Sequence, residues 1–253
     1  PPELLDLLID DTETTLLPMI RHWMSCLRSW SQLAWTVRSG VPAPRMSSIR
    51  GPMADREAFI AGMHSLAVAV ADDLVSRLSI DRFDHLLDVG GASGSWTLAF
   101  LRKYPNATAT IFDLPDAIKQ AEERIADSDE ADRIEVVGGD FFRDELPGDV
   151  DFAWVSAIVH MLDRQQNRDL FAKIYRALLP GGCIAIRDVV MKNNRTEPIA
   201  GALFAVNMLV NTTSGGTYTF DELSEDLIAS GFVSPQLAVE AEDMNAVVTA
   251  MKP

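Results

Sequence analysis

The chain has 253 residues, 47% of them hydrophobic, and its 37 acidic against 22 basic side chains leave a net charge of −15. That length and apolar fraction allow one large core, or one core with a smaller helical appendage, and exclude a disordered chain. The negative charge repels phosphate backbones and anionic lipid, so nucleic acid and membrane surfaces are set aside as partners.

In chain order, Leu16 to Arg38 carries apolar residues at helical spacing and stops at Gly40, before the breaker-rich loop VPAPRMSSIRGP. ADREAFIAGMHSLAVAVADDLVSRL follows. Asp55 is its expected N-cap, and apolar residues on more than one face predict a largely buried helix ending near Leu78. That end is the expected domain boundary, with a helical segment over 1–80 and a second domain over 81–253. From Leu86 short apolar runs (LLDVG, TATIFDL, RIEVVGGD, VDFAWVSAIV, CIAIRDVV) alternate with helical stretches such as DAIKQAEERIA and QQNRDLFAKIYRALL. This alternation predicts an α/β fold, an open parallel sheet wrapped by helices on both faces. After the helical pattern FDELSEDLIASG, the runs SPQLAVEA and NAVVTAMK predict a closing antiparallel pair.

The two cysteines, Cys26 and Cys183, lie far apart and outside any Cys/His cluster. Neither a disulfide framework nor a zinc site is expected, and a cytoplasmic location is. No apolar run approaches the roughly 20 residues of a membrane span, and no basic leader precedes an apolar segment. The chain opens on Pro1, which leaves processing or truncation open.

The stretch LLDVGGASGSWTLAF, Leu86 to Phe100, places glycines between a predicted strand and a predicted helix, so a ligand can lie against the backbone at the carboxyl edge of the sheet. A dinucleotide needs GxGxxG, but Ala92 and Ser95 stand at the third and sixth positions counted from Gly90. Asp88, just before the glycines, would repel a pyrophosphate and suits a ligand with an ammonium and a sulfonium. S-adenosylmethionine (SAM) carries both. Asp113 ends the next strand about 20 residues on, where a carboxylate accepts ribose hydroxyls. The third strand ends in GGDFF, with Asp140 as acceptor for an adenine amino group and Phe141 as an apolar wall.

DVGGASG, IFDLP, GGDFF and ALLPGG, in that order, resemble the successive motifs of the class I SAM-dependent methyltransferases. WVSAIVHMLDRQQNRDLFAKIYRALLPGG followed by GALFAVNMLVNTTSGGTYTFDEL resembles the small-molecule O-methyltransferases of the plant caffeate/flavonoid and bacterial polyketide-tailoring type. The similarity covers nearly the whole chain. RHWMSCLRSWSQLAWTVRSGVP is similar to the segment that follows that family's N-terminal dimerisation domain, whose winged-helix half is missing here. The resemblance implies a Rossmann-like, seven-stranded, mostly parallel sheet with a C-terminal antiparallel hairpin, preceded by a helical dimerisation or lid segment. It implies SAM as methyl donor, S-adenosylhomocysteine as product, no metal, a small-molecule acceptor, and a homodimer in the complete protein. It places the methionyl end of SAM by the Gly90–Gly91 turn and Ser156, with Asp88 beside them from the charge argument above. The ribose falls to Asp113 with Leu114, and the adenine to Asp140 and Phe141. Ala92 stands where the usual run has its middle glycine.

The family's general base is a histidine shortly after the fourth strand, and His160 holds that place. Of the others, His22 and His85 read as an exposed helix position and a turn, and His64 as part of the buried front helix. An ordinary imidazole and an ordinary phenol differ by enough that full proton transfer before reaction would cost roughly 5 kcal/mol, so deprotonation is expected to accompany methyl transfer. The resemblance implies two acids flanking the histidine. Arg187 stands where the first aligns, with Asp188 adjacent, and Thr217 and Tyr218 where the second does. Asp163 and Asp188 are therefore the candidates for holding the ring, and the Arg187 guanidinium is expected beside it, keeping it neutral. The acceptor pocket is assigned to Met63, His64, Phe204, Asn207 and Met208, Asn207 because an amide in an apolar helix needs a partner. Trp23, Trp30 and Trp35 are read as core or subunit-interface anchors. The leading expectation is an O-methyltransferase acting on an aromatic or polyketide-like hydroxyl. Its alternatives are a SAM-binding relative with lost or altered chemistry, a nicotinamide dehydrogenase, and a non-enzymatic interaction module.

Overall fold

A computed structural model describes residues 6–9, 15–91 and 93–253. At the front, two helices replace the single predicted one, Leu17–Trp30 (α1) and Leu33–Ser39 (α2). The break falls at Ser31 and Gln32, whose N–H groups reach back to the carbonyls of Leu27 and Ser29. Gly40 closes α2 in the left-handed conformation at φ 74°, as a glycine can without strain.

The next helix differs from expectation in three ways. It begins at Gly51, with Pro52 in its first turn, where a missing N–H is harmless; α3 is Gly51–Val68 and α4 Ala71–Arg77. Asp55 therefore lies inside α3 and caps nothing, and its Oδ2 accepts the Ser48 N–H at 2.7 Å, fastening the preceding loop to the helix. The helix also breaks at Ala69 and Val70, where φ leaves the helical range at −129°. Burial is confined to Ala58, Ile60, Gly62 and Ala67, while Met53, Phe59, Leu66 and Val68 are exposed. At Gly62 α1 crosses the helix closely: a Cβ there would sit 3.1 Å from the Met19 Cα.

The rest follows the alternating pattern. Strands His85–Val89 (β1), Thr108–Asp113 (β2), Ile134–Gly138 (β3), Val150–Ser156 (β4) and Leu178–Asp188 (β5) are parallel. Val190–Met191 (β6) and Tyr218–Thr219 (β7) form a small separate ladder. Val233–Val239 (β8) and Ala246–Met251 (β9) make the closing antiparallel pair, giving one sheet in the order β3-β2-β1-β4-β5-β9-β8. The helices between strands are Ser95–Lys103 (α5), Pro115–Ala126 (α6), Arg164–Ala177 (α7), Ile199–Asn211 (α8) and Phe220–Ala229 (α9).

Strand alternation divides the core into two layers. Leu87, Val155 and Ile186 point to one face and pack with Phe171, Ile174 and Leu227; Leu86, Trp154 and Ala185 point to the other and pack with Leu74 and Phe100. Asp163 and Thr219 each start a helix with a capping box, to Gln166 and Glu222. The strand order reverses between β1 and β4, which opens a crevice at their carboxyl ends.

Candidate functional site

Backbone hydrogen bonds stitch the strand ends into one rim. The Gly90 N–H donates to the Phe112 carbonyl at 2.8 Å, the Gly139 N–H to that of Asp113 at 2.9 Å, and the Ala157 N–H to that of Arg187 at 2.9 Å. Gly90, Asp113, Asp140, Ser156 and Arg187 thus line one carboxyl edge side by side. Gly90 has φ 76°, and a Cβ there would come within 2.6 Å of Ile158 Cδ1. A Cβ on Gly91 would overlap the Asp88 carboxyl carbon, so only glycine lets the chain cross that acid. Ala92 lies outside the described residues.

Asp88 is 1% exposed. Its Oδ2 accepts the Thr97 hydroxyl at 2.7 Å, while its Oδ1 has no hydrogen-bond partner among the described residues. Burial pushes this carboxyl up to about 7, against a smaller downward pull from Thr97. Asp113 is half-buried at the end of β2, with Oδ1 accepting the Leu114 N–H at 2.6 Å, and Leu114 beside it is exposed. Asp140 is held in a tight turn: its Oδ1 accepts the Phe142 N–H at 2.9 Å and its own N–H donates to Asp144 at 2.8 Å. Phe141 is half-buried and packs against Phe142 at 4.7 Å between centroids.

His160 sits in a short 3-10 turn, Val159–Met161, just past β4. Its Nδ1 bonds both carboxylate oxygens of Asp188, at 2.8 and 3.0 Å, and both residues are buried. Asp188 Oδ1 also accepts the Val189 N–H at 2.8 Å, which fixes the carboxylate and with it the ring. An acid that only accepts requires the proton on Nδ1, leaving Nε2 as the basic nitrogen. The loop after α8 wraps this residue: the Gly216 N–H donates to the His160 carbonyl at 2.9 Å, and a Cβ on Gly215 would overlap that oxygen. Of the two candidates for orienting the ring, Asp188 does so and Asp163 caps α7. Arg187 is not beside the histidine. Successive strand residues point to opposite faces, and Arg187 turns to Ser156, Asn245 and Trp96. Neither Thr217 nor Tyr218 supplies a second acid; the Tyr218 hydroxyl donates to the Leu162 carbonyl.

On the acceptor side, Phe204 meets the His160 ring edge-on at 4.8 Å. Asn207, one turn along α8, finds its partner in Trp30: the indole Nε1 donates to Asn207 Oδ1 at 2.9 Å, and Asn211 Nδ2 donates to the same oxygen at 2.9 Å. Met208 is buried on α8 and Met63 half-buried on α3. His64 bonds the Ser95 hydroxyl through Nδ1 at 2.8 Å, which brings it to the start of α5. Burial, with Arg124 nearby, lowers it to about 4 and keeps the ring neutral. His22 is half-buried, against the expected exposure, and its ring packs on Phe59 at 4.9 Å. His85 opens β1 and bonds the hydroxyls of Thr108 and Thr110 at 2.7 and 2.8 Å, a structural role. Sequence reasoning missed Thr97, Ser95, Trp96 and Asn245. Only Thr97 had a signal, since a buried acid needs a donor and Thr97 is one helical turn into α5.

A profile of the O-methyltransferase domain family matches residues 28–233. Acetylserotonin O-methyltransferase of Gallus gallus is 34% identical over 190 residues, 75% of this chain and 54% of that protein. The 3-hydroxy-5-methyl-1-naphthoate 3-O-methyltransferase of Streptomyces sahachiroi is 33% identical over 175 residues, 69% of this chain and 50% of that protein. The chain spans about half the length of these two relatives. Among solved structures, human N-acetylserotonin methyltransferase in complex with SAM aligns with a TM-score of 0.85 at 24% identity, over 98% of this chain and 73% of that one.

Proposed function

Because the chain belongs to the O-methyltransferase domain family, we propose that the protein is a SAM-dependent enzyme that methylates a hydroxyl of an aromatic or polyketide-like small molecule. The observation that carries this reading is the buried His160–Asp188 pair at the carboxyl edge of the sheet, beside the glycine loop. The residues present suit the cofactor. Asp88 Oδ1 is a buried acceptor without a partner among the described residues, and an ammonium group supplies one. Asp113 would take the ribose hydroxyls, with Leu114 beside them; Asp140 would take the adenine amino group, and Phe141 would wall the ring.

SAM supplies an electrophilic methyl on a sulfonium that is already a good leaving group. The chain has to hold the acceptor oxygen in line and accept its proton. Positioning of this kind supplies roughly 7–11 kcal/mol, and the base a further factor of about 10² to 10⁴. His160 Nε2 takes the hydroxyl proton as the new bond forms, and Asp188 holds the imidazolium that results. Phe204 covers one edge of that ring, and Asn207 and Met208 continue the same helix into the acceptor pocket. This chemistry asks for no metal ion. A homodimer in the complete protein and a cytoplasmic location belong to the same reading. Exposed Trp23, Leu27, Trp35 and Val37 on α1 and α2 are its support for the dimer; no single helix among the described residues is long and apolar enough to cross a membrane.

The test is calorimetric titration with SAM and S-adenosylhomocysteine, on the parent and on Asp113→Ala, together with methyl-transfer assays of His160→Ala on phenolic acceptors. Binding weakened by the first variant, and transfer abolished with binding kept in the second, support the proposal. Transfer indifferent to His160→Ala points to a relative with altered chemistry, and no binding by the parent removes the cofactor.

A further inference from the structure

The mechanism leaves the half-buried cation Arg187 without a task. Arg187 and Asp188 end β5 side by side, and strand alternation sends Asp188 to His160 and Arg187 to the α5 face. There Arg187 Nη1 donates to Ser156 Oγ at 3.2 Å, while Nε and Nη2 donate to Asn245 Oδ1 at 3.1 and 2.7 Å. The guanidinium lies 4.6 Å from the centre of the Trp96 ring, which packs in turn on Trp154 at 5.3 Å. Trp96 is the second residue of α5, the helix into which the glycine loop opens.

The groups that Arg187 bonds or stacks on, Ser156, Asn245 and Trp96, are all neutral, and among the described residues no carboxylate forms an ion pair with it. Burial pulls it down to about 10, with Asp188 and Asp243 opposing through space. A guanidinium held this way is costly unless an anion meets it. Arginine carries five N–H donors; three are used here, and two remain without a partner among the described residues. Their position is set by the rim. Ser156 ends β4 and pairs with Arg187 in register, and β4 neighbours β1, whose end runs into Gly90 and Gly91. The guanidinium, bonded to Ser156 at the end of β4 and stacked on Trp96 at the start of α5, therefore lies one strand from the point where the strand order reverses, next to the methionyl end of the proposed cofactor site.

We propose that Arg187, braced by Ser156, Asn245 and the Trp96 ring, is the receptor for the α-carboxylate at the methionyl end of the cofactor. This rests on the SAM-dependent reading above. The amino-acid end of the ligand is then read by opposite charges, with the buried Asp88 carboxyl meeting the ammonium and Arg187 the carboxylate. Ser156 serves by holding the guanidinium. The indole face and the two bonds to Asn245 keep the planar group from swinging away, a geometry that a lysine ammonium reproduces only in part.

The experiment compares binding of S-adenosylhomocysteine with that of its aminopropylthio analogue, which lacks the carboxyl group, by calorimetry on the full chain. Thermal melting checks the fold of each variant. The parent is expected to prefer S-adenosylhomocysteine by about 10- to 100-fold, the range for hydrogen bonds to a charged group. Arg187→Gln should weaken S-adenosylhomocysteine by that factor and leave the analogue unchanged, so the preference collapses; Arg187→Lys should keep part of it. A parent that does not distinguish the two ligands overturns the proposal without any variant. So does an Arg187→Gln protein that weakens both equally or keeps the preference, the result expected if the arginine braces the fold or meets a carboxylate of the acceptor. A parent that binds neither ligand takes down the SAM-dependent reading as well.

Discussion

Replacing Asp188 by asparagine changes one oxygen and no volume, and the structure says where the new nitrogen goes. The Val189 N–H needs an acceptor and lies 2.8 Å from Oδ1. The amide oxygen therefore stays at that position, and the NH₂ group takes the place of Oδ2, 2.8 Å from His160 Nδ1. It then donates to Nδ1, so the ring proton moves to Nε2 and the base is lost. The lost bond is buried and charge-assisted, worth about 1.5–3 kcal/mol, or roughly 10- to 100-fold in rate. The inverted tautomer puts the effect at or beyond the upper end. The assay is single-turnover methyl transfer to a phenol at saturating SAM. Asp188→Asn should slow it by about 100-fold or more, leave S-adenosylhomocysteine binding unchanged, and show a residual rate that climbs towards the ordinary phenol pKa near 10 as the acceptor ionises unaided. A rate within threefold of the parent, with the parent's pH profile, would refute the claim that Asp188 orients the base.

Asp88 is raised to about 7 by burial, so the folded protein keeps a proton that the unfolded chain releases near 4; the stability this group contributes is full below about pH 4 and lost as pH rises through 7. Asp88→Asn should therefore melt progressively higher than the parent between pH 4 and pH 7, by up to about 4 kcal/mol at 1.36 per unit, and bind S-adenosylhomocysteine more weakly; a pH-independent difference in melting contradicts this. Gly91→Ala forces a methyl into the Asp88 carboxyl and should cost about 1–3 kcal/mol together with cofactor binding, read by denaturation and calorimetry. Asp226, 1% exposed, accepts from Arg164 at 2.8 and 2.9 Å and pairs with Arg168 at 3.3 Å. Asp226→Ala should cost about 3 kcal/mol or more in urea unfolding, and a loss under 1 kcal/mol would show that the pairs are idle.

Local chemistry was legible in the sequence wherever it depends on neighbours along the chain. Five apolar runs separated by amphipathic helices can bury themselves only as a parallel sheet with helices on both faces, and all five became β1 to β5. The glycines after Asp88 declared a close backbone approach, and His160 stood just past a strand end. What failed depended on neighbours across space. Helical periodicity does not register the turn at Ser31 or the bend at Val70, because apolar spacing continues through both. Nor does it reveal that the N-cap preference of Asp55 is overruled by a helix that starts four residues earlier. Arg187 and Asp188 are adjacent in sequence, and only the pleat, with β4 on one side and β9 on the other, decides that the acid reaches His160 while the cation turns to Trp96. Trp30 and Asn207 are 177 positions apart, a separation no local pattern bridges. The order of the elements, and the strand ends at which the candidate residues stand, follow from patterns within single segments. The tertiary structure alone decided which side chains meet there, because a partner is chosen by the register of the sheet and the crossing of the front helices, neither of which is written in any single segment.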